Sequence, residues 1–315
     1  MSMKAVVISS PQAGPVCGDF SEPVPGQGEQ VFELVGAGLH QIVRSIASGS
    51  HYGSGDVYPF VPGVDAVARG VDGGLVYTGF ITEPWGTMAE RMSARVGIRV
   101  PDGADPLAVA AGMNPGMSSW LPLTARADRG PLGTVLIFGA TGASGRIAVQ
   151  SALSLGADRV VAVGRNAAVL EELAGPSVVT VRLGEEDTAT RLAAALDPAP
   201  SLVLDYLWGP VAELAFGALA RRGLDEDSAD ITYTQIGGLA GPTAAVPASL
   251  LRSRRIRIVG SGAGSASTAD LLKQLPGLLA RIADGRIQVA YKSFSLADAA
   301  AAWAHRGPER AVLVP

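Results

Sequence analysis

The pattern of apolar and polar positions changes near residue 134. Before this point, short apolar runs such as KAVVI and GGLVYTGF lie between glycine and proline residues, which is typical of strands joined by turns. After it, apolar runs alternate with stretches whose apolar positions recur at helical spacing. The pattern therefore predicts a β-rich region over about the first 120 residues, followed by an α/β region.

The second region is predicted to contain six strands with helices between them. This alternation favours a doubly wound parallel sheet with right-handed crossovers and helices on both faces. The predicted strands are 134–138, 159–164, 178–182, 202–206, 231–237 and 255–261, and the predicted helices are 144–155, 166–174, 187–196 and 210–221. The pattern continues with a helix over 268–284, a strand near 287–294, a helix near 296–304 and a last strand, AVLV.

The first strand of this sheet leads directly into a glycine-rich turn, GATGASG. In such a turn the first glycine permits a tight bend, the second lets the backbone approach a pyrophosphate, and the third lets the following helix pack closely. The N-terminus of that helix would present N–H groups to the anion, and Ser144 could cap it and add a hydroxyl donor. The turn predicts a dinucleotide site formed by Gly139, Thr141, Gly142, Ala143, Ser144 and Gly145.

The end of the second strand indicates which dinucleotide would bind. Folds that bind NAD(H) place a carboxylate about 20 residues past the glycines, where it holds the ribose 2′-hydroxyl. Here the corresponding residues are Gly164, Arg165 and Asn166. An arginine would pair with a 2′-phosphate, which a carboxylate would repel. The sequence therefore favours NADP(H), with a solvent-exposed surface arginine as the alternative.

Composition and charge exclude several classes of protein. The 315 residues allow about two domains, and a net charge of −4 gives no basic surface for nucleic acid. Neither a signal peptide nor a membrane span is expected. Cys17 is the single cysteine, which excludes an internal disulfide and favours a cytoplasmic protein.

Several further segments resemble the medium-chain dehydrogenase/reductase superfamily, in particular its zinc-free quinone oxidoreductase branch. These segments are FVPGVDAVARGVDG, GTMAERMSAR, RVPDGADPLAVAAG, MNPGMSSWLPL and HRGPERAVLVP. The resemblance implies a GroES-like catalytic domain at 1–119, completed by 262–315, and a Rossmann domain at 120–261. It also implies NADP(H) in the cleft between these domains, and a homodimer formed through the last Rossmann strand, RIRIVGS.

Zinc alcohol dehydrogenases are also part of this superfamily, so the ligands for a metal have to be considered separately. A catalytic zinc requires cysteine and histidine ligands. Val64 stands where the zinc-binding branch has histidine, the segment GAGLHQIV has no cysteine, and His40, His51 and His305 are scattered. No metal site is expected.

Without a metal, a quinone or another α,β-unsaturated carbonyl compound is a better hydride acceptor than an alcohol, because its developing oxyanion needs only hydrogen-bond donors. Tyr52 resembles the tyrosine of the family's Gly-x-Tyr segment, which implies a proton or hydrogen-bond donor beside the nicotinamide; packing against the cofactor ring is the alternative. His40 and Val43 stand where the family has asparagine and aspartate. His40 is therefore a second catalytic residue, a cofactor contact or a structural histidine.

Further cofactor contacts are expected at the carboxyl ends of the parallel strands, where such sheets bind ligands. They are Gly237, Gly238, Ser261 and Gly262. The resemblance places Ser118 beside the nicotinamide and phosphates. Asp205 orients a loop, holds a cofactor hydroxyl or acts as a structural cap.

The sequence indicates three candidate functions, of which it favours the first. The first is an NADPH-dependent reductase of small quinones or enones. The second is a 2-enoyl thioester reductase on the same fold, and the third is a non-catalytic NADPH-binding sensor. All three share the same predicted cofactor site.

Overall fold

The structure is a computed structural model that describes residues 1–79, 81–262 and 264–315. It divides into two compact units: the first consists of Met1–Pro115 and Leu275–Pro315, and the second of Gly116–Gln274. The predicted domain boundaries lie after residue 119, inside a helix, and after residue 261, just past a strand. The assignment of these units as a catalytic and a cofactor domain stays a prediction.

Across the described residues, the first part of the chain forms seven short strands, with one short helix among them, and then one long helix. The strands are β1 (Ser2–Val7), β2 (Val16–Ser21), β3 (Gln30–Gly38), β4 (Asp65–Arg69), β5 (Leu75–Gly79), β6 (Arg91–Ala94) and β7 (Gly97–Arg99), and the helices are α1 (Gln41–Ala47) and α2 (Pro106–Ala127). The predicted β-rich character is confirmed. The apolar pattern did not indicate α2 because Pro115 and Pro122 interrupt it.

Residues 134–260 form the predicted doubly wound α/β arrangement. The strands are β8 (Thr134–Phe138), β9 (Arg159–Gly164), β10 (Val178–Arg182), β11 (Leu202–Asp205), β12 (Ile231–Gln235) and β13 (Ile256–Gly260), and the helices are α3 (Ala143–Ser154), α4 (Ala167–Leu173), α5 (Thr188–Ala195), α6 (Gly209–Leu219) and α7 (Ala248–Ser253). All six predicted strands are confirmed. They run parallel in the order β10-β9-β8-β11-β12-β13.

The residues of β8 explain why this sheet was easy to recognise. All five residues of the strand are buried. Val135 and Ile137 pack in one apolar core, whereas Leu136 and Phe138 pack in another. A continuous apolar run is what a parallel sheet covered on both faces requires. The strand order reverses between β8 and β11, and ligands of such sheets bind at that point, beyond the carboxyl ends of the strands.

The last elements complete the sheet of the first unit. They are α8 (Thr268–Ala283), β14 (Tyr291–Ser295), a 3₁₀ turn (Leu296–Asp298), α9 (Ala299–Ala304) and β15 (Arg310–Val314). β15 pairs with β3 in a sheet of order β14-β15-β3-β4-β5-β7, and β6 pairs with the other part of β3. The expected strand near 287–294 begins later, at Tyr291. Within the part of the chain described above, no helix has both the length and the apolar character needed to span a membrane.

Candidate functional site

The glycine-rich turn joins β8 to α3 at the carboxyl edge of the parallel sheet. Gly139 has a φ of 83°, in the left-handed region that favours glycine. A Cβ atom on Gly145 would overlap the carbonyl oxygen of Gly139 and lie 2.6 Å from the Cα of Ala140. The fold itself therefore requires glycine at both positions.

Gly142 differs from the other two glycines of the turn. Its backbone is extended, with φ −82° and ψ 166°, and its Cβ atom would come no closer than 3.4 Å to the carbonyl oxygen of Gly139. An alanine would therefore fit the protein here. Something other than the internal packing of the turn has to explain this glycine.

The N-terminus of α3 has no side-chain cap and no acidic residue in its first turn. Gly142 is the N-cap residue, and the helix begins at Ala143. The expectation that Ser144 caps the helix is wrong, because Ser144 already lies within the first turn. The first N–H groups of a helix have no partner inside it, so this helix end can accept an anion.

The end of β9 lies beside this turn. A Cβ atom on Gly164 would lie 2.7 Å from the Oγ1 atom of Thr141. Asn166 caps α4, since its Oδ1 accepts a hydrogen bond from the Val169 N–H at 3.3 Å. Arg165, between them, is exposed, and within residues 1–79, 81–262 and 264–315 no salt bridge involves it. The glycine-rich turn, Gly164 and Arg165 thus lie together at one edge of the sheet.

Asp205 orients the loop after β11, which was one of its three predicted roles. The residue is fully buried. Its Oδ1 accepts hydrogen bonds from the N–H groups of Leu207 at 2.8 Å and Trp208 at 2.9 Å. Its Oδ2 accepts one from the Tyr233 hydroxyl at 2.7 Å. Burial, followed by the Asp205 charge, raises the pKa of Tyr233 well above its usual range. These bonds hold Trp208 at a φ of 57°, which is costly for a residue other than glycine.

The predicted contacts at the ends of β12 and β13 lie in two loops, in which Gly237 is closely packed and Gly238 and Gly262 are exposed. A Cβ atom on Gly237 would lie 2.7 Å from the carbonyl oxygen of Tyr206. Gly238 follows in the same loop. The Ser261 N–H donates to the carbonyl oxygen of Gln235 at 2.8 Å, and the Gly262 N–H donates to the Ser265 hydroxyl at 2.7 Å.

Ser118 has a partner that sequence reasoning missed. Its Oγ lies 3.0 Å from the hydroxyl oxygen of Tyr206, the residue directly after β11. Burial raises the pKa of Tyr206 to about 12. The only available signal was the position of Tyr206 at a strand end next to Asp205, because its partner lies 88 residues away in the chain.

In the first unit, His40 is buried in a polar cluster. It is 2% exposed, and its Nε2 lies 3.0 Å from Oδ1 of Asp65. The Tyr77 hydroxyl donates to Oδ2 of the same carboxylate at 2.7 Å. Burial, then the Asp65 charge, raises the pKa of Tyr77 well above its usual range. Asp65 lies in the segment FVPGVDAVARGVDG, which resembles the superfamily, and was not predicted as a partner of His40.

Tyr52 lies in a different environment from His40. It is 76% exposed, and its ring centroid lies 4.1 Å from that of His51. A ligand can therefore reach Tyr52 directly, whereas His40 would first have to become accessible. Across the described ranges, no group of three or more histidine, cysteine, aspartate or glutamate residues is arranged to hold a metal.

The parallel sheet with its glycine turn, together with the separate sheet of the first unit, matches the predicted Rossmann and GroES-like fold class. No family model matches the chain. The chain is 29% identical to a probable NADPH-dependent quinone reductase of Emericella nidulans, over 96% of each chain.

Two solved structures share the fold over nearly their whole length. One is the quinone oxidoreductase of Thermus thermophilus, which was also solved in complex with NADPH (24% identity, TM-score 0.79, covering 99% of this chain and 100% of that one). The other is an alcohol dehydrogenase superfamily protein of Novosphingobium aromaticivorans (21% identity, TM-score 0.81, 99% of each chain). The resemblance to the quinone oxidoreductases of this superfamily is confirmed.

Proposed function

We propose that the chain is an NADPH-dependent reductase that transfers hydride to a quinone or another α,β-unsaturated carbonyl compound without zinc. The observation that carries this proposal is the glycine turn at the first strand of the parallel sheet, followed by Arg165 in place of a carboxylate. The relatives support the same reading, since one is named as an NADPH-dependent quinone reductase and another was solved with NADPH.

The turn fits a pyrophosphate. Gly142 is not required by the packing of the turn, because its Cβ atom would meet no atom closer than 3.4 Å. A glycine that the fold does not need is explained by a ligand that approaches the backbone closely. The amides of Thr141, Ala143 and Ser144 and the uncapped end of α3 would bind the negative charge.

Arg165 fits the 2′-phosphate of NADP(H). It is exposed at the carboxyl end of β9, next to Gly164 and the capping Asn166. A guanidinium group can donate two parallel hydrogen bonds to a phosphate. Ser118, Gly237, Gly238, Ser261 and Gly262 are proposed to contact the nicotinamide half.

Catalysis needs a hydride and a group that stabilises the charge left on the acceptor oxygen. NADPH supplies the hydride when it is bound. Tyr52 is proposed to donate a hydrogen bond or a proton to that oxygen, because a phenol hydroxyl is a hydrogen-bond donor and this one is exposed. His40, whose Nε2 lies 3.0 Å from Oδ1 of Asp65, stays a second proposed catalytic residue.

A non-catalytic NADPH-binding protein is the second candidate. The observation that favours it is the buried His40–Asp65 pair, at a position where the family has an asparagine. NADPH oxidation with a panel of quinones, enones and 2-enoyl thioesters separates these functions. Turnover of a quinone supports the main proposal, and exclusive turnover of thioesters would identify an enoyl reductase. NADPH binding without turnover of any acceptor would support the non-catalytic protein.

We also propose a cytoplasmic homodimer that pairs β13 with its copy. β13 is the edge strand of the parallel sheet, and Val259 on it is 41% exposed. An unpaired apolar edge strand is suited to pair with another chain.

A further inference from the structure

Tyr206 lies at the carboxyl end of β11, a central strand of the parallel sheet, next to the glycine turn. It follows β11 directly, and its Cβ would lie 3.2 Å from a Cβ atom on Gly139. Its ring is only 8% exposed and packs in the apolar core that contains Ala140 and Ala148. Its N–H donates to the carbonyl oxygen of Phe138 at 3.3 Å. Packing and this backbone hydrogen bond therefore fix the position of the phenol.

The hydroxyl of Tyr206 adds nothing to that core. A phenylalanine would fill the same apolar space, and a buried hydroxyl costs free energy unless it is hydrogen-bonded. The structure supplies hydrogen bonds through Ser118, whose Oγ lies 3.0 Å away, and through the neighbouring Ser119. Burial raises the pKa of Tyr206 to about 12, so the phenol keeps its proton at neutral pH.

Ser118 differs from Tyr206 because it is only half-buried. A serine hydroxyl rotates freely and can donate in several directions. A bond to a fixed phenol selects one of these orientations. A ligand that accepts a hydrogen bond from Ser118 would then find its donor already oriented, which lowers the entropic cost of binding.

We propose that Tyr206 is a positioning residue whose hydroxyl fixes the orientation of the Ser118 hydroxyl for a hydrogen bond to NADP(H). This inference rests on the proposed function, in particular on Ser118 as a cofactor contact. Tyr206 acts through Ser118 and does not itself contact the cofactor.

The test is a double-mutant cycle measured on NADPH affinity. Tyr206→Phe and Ser118→Ala are each expected to weaken NADPH binding by about three- to tenfold, the effect of one lost hydrogen bond. The dissociation constant of the double variant for NADPH is expected to equal that of the single variant with the lower affinity, because both substitutions break the same interaction. Isothermal titration calorimetry gives the three dissociation constants.

Two further variants separate positioning from a general structural effect. Thr124→Val removes a hydroxyl from the same helix, where it bonds to the Trp120 carbonyl oxygen, and should leave NADPH affinity unchanged. Ser118→Thr keeps a hydroxyl at the site and should restore most of the affinity that Ser118→Ala loses. Thermal unfolding of each variant identifies any change that comes from the fold alone.

The outcomes distinguish this inference from the function on which it rests. Additive losses in the double variant, or unchanged affinity in Tyr206→Phe, would overturn the role of Tyr206 while leaving the reductase intact. Absence of NADPH binding by the wild-type chain would overturn the proposed function itself.

Discussion

At the scale of single residues, the charge that follows β9 should decide between the two coenzymes. Replacing Arg165 with aspartate should shift the preference toward NADH, because a carboxylate repels the 2′-phosphate and accepts a hydrogen bond from the free 2′-hydroxyl. The kcat/KM ratio of NADPH to NADH is expected to fall by about tenfold or more, as for one lost charged hydrogen bond.

Arg159 provides the matched control for Arg165. It lies at the opposite end of β9 and donates to the carbonyl oxygen of Asp197 at 3.1 Å. Arg159→Asp makes the same change in charge but should leave the coenzyme ratio unaltered. Equal ratios for wild type and Arg165→Asp would remove Arg165 from the 2′-phosphate site.

The exposed phenol of Tyr52 should act in acceptor reduction and not in coenzyme binding. Tyr52→Phe is expected to slow quinone reduction by about 100-fold, a typical contribution of one positioned acid. NADPH affinity and thermal stability should stay the same, because the side chain is 76% exposed.

Tyr58→Phe is a suitable control for Tyr52→Phe. Tyr58 lies in the same segment and packs edge-on against Phe60, with ring centroids 5.4 Å apart. Steady-state rates that are equal for the wild type and Tyr52→Phe would exclude Tyr52 from the reaction.

Residue-scale prediction from the sequence had a clear limit. Arg165 and the glycines could be located because the turn and the strand end are local features. Tyr206 and Asp65 could not be identified as partners of Ser118 and His40, because the fold, not the local pattern, brings them together. The cap predicted at Ser144 was wrong because α3 begins one residue earlier, at Ala143.

At the scale of elements, substitutions in the glycine turn should distinguish a glycine that the fold requires from a glycine that the ligand requires. Gly145→Ala places a Cβ against the backbone of Gly139 and Ala140 and should destabilise the protein by about 1–3 kcal/mol or more. Gly142→Ala has room, so its unfolding temperature should match that of the wild type while its NADPH affinity falls. Thermal unfolding and calorimetric titration measure the two effects.

The opposite pattern would contradict these roles of the two glycines. A stable Gly145→Ala variant would show that α3 can move away from β8. A Gly142→Ala variant with normal NADPH affinity would show that the backbone at 142 does not approach the pyrophosphate.

Elements with a strong apolar pattern were predictable, and the others were not. The strands β8, β9 and β10 have the predicted bounds, because each is a nearly continuous apolar run next to a turn or helix signal. The long helix α2 escaped the pattern because prolines occur inside it. The six-residue helix α7 was also missed, because so short a helix has too few turns for a recognisable period.

At the scale of the whole molecule, the edge strand β13 should form the homodimer. The Arg255 carbonyl and the Ser261 N–H, on either side of β13, both bond to residues of β12, so the alternation of the strand directs the Ile258 N–H outward. Ile258→Pro removes that donor and should produce monomers. Light scattering after size-exclusion chromatography should give twice the 32.1 kDa of one chain for the wild type and the single-chain mass for the variant. A monomeric wild type would contradict the dimer.

The doubly wound sheet and the β-rich first unit followed from the alternation of strands and helices, and their fold is confirmed. The natural acceptor did not follow, because a quinone, an enone and an enoyl thioester require similar chemistry from the protein. Local motifs identify a cofactor more readily than a substrate, since the phosphates are held by backbone amides and a single charge.

The coenzyme site at the glycine turn underlies every other assignment, and calorimetric titration of the wild-type chain with NADPH, and then with NADH, measures it without any variant. We expect one NADPH site per chain and weaker binding of NADH. A chain that bound neither coenzyme would contradict the assignment of the glycine turn, and with it the reductase.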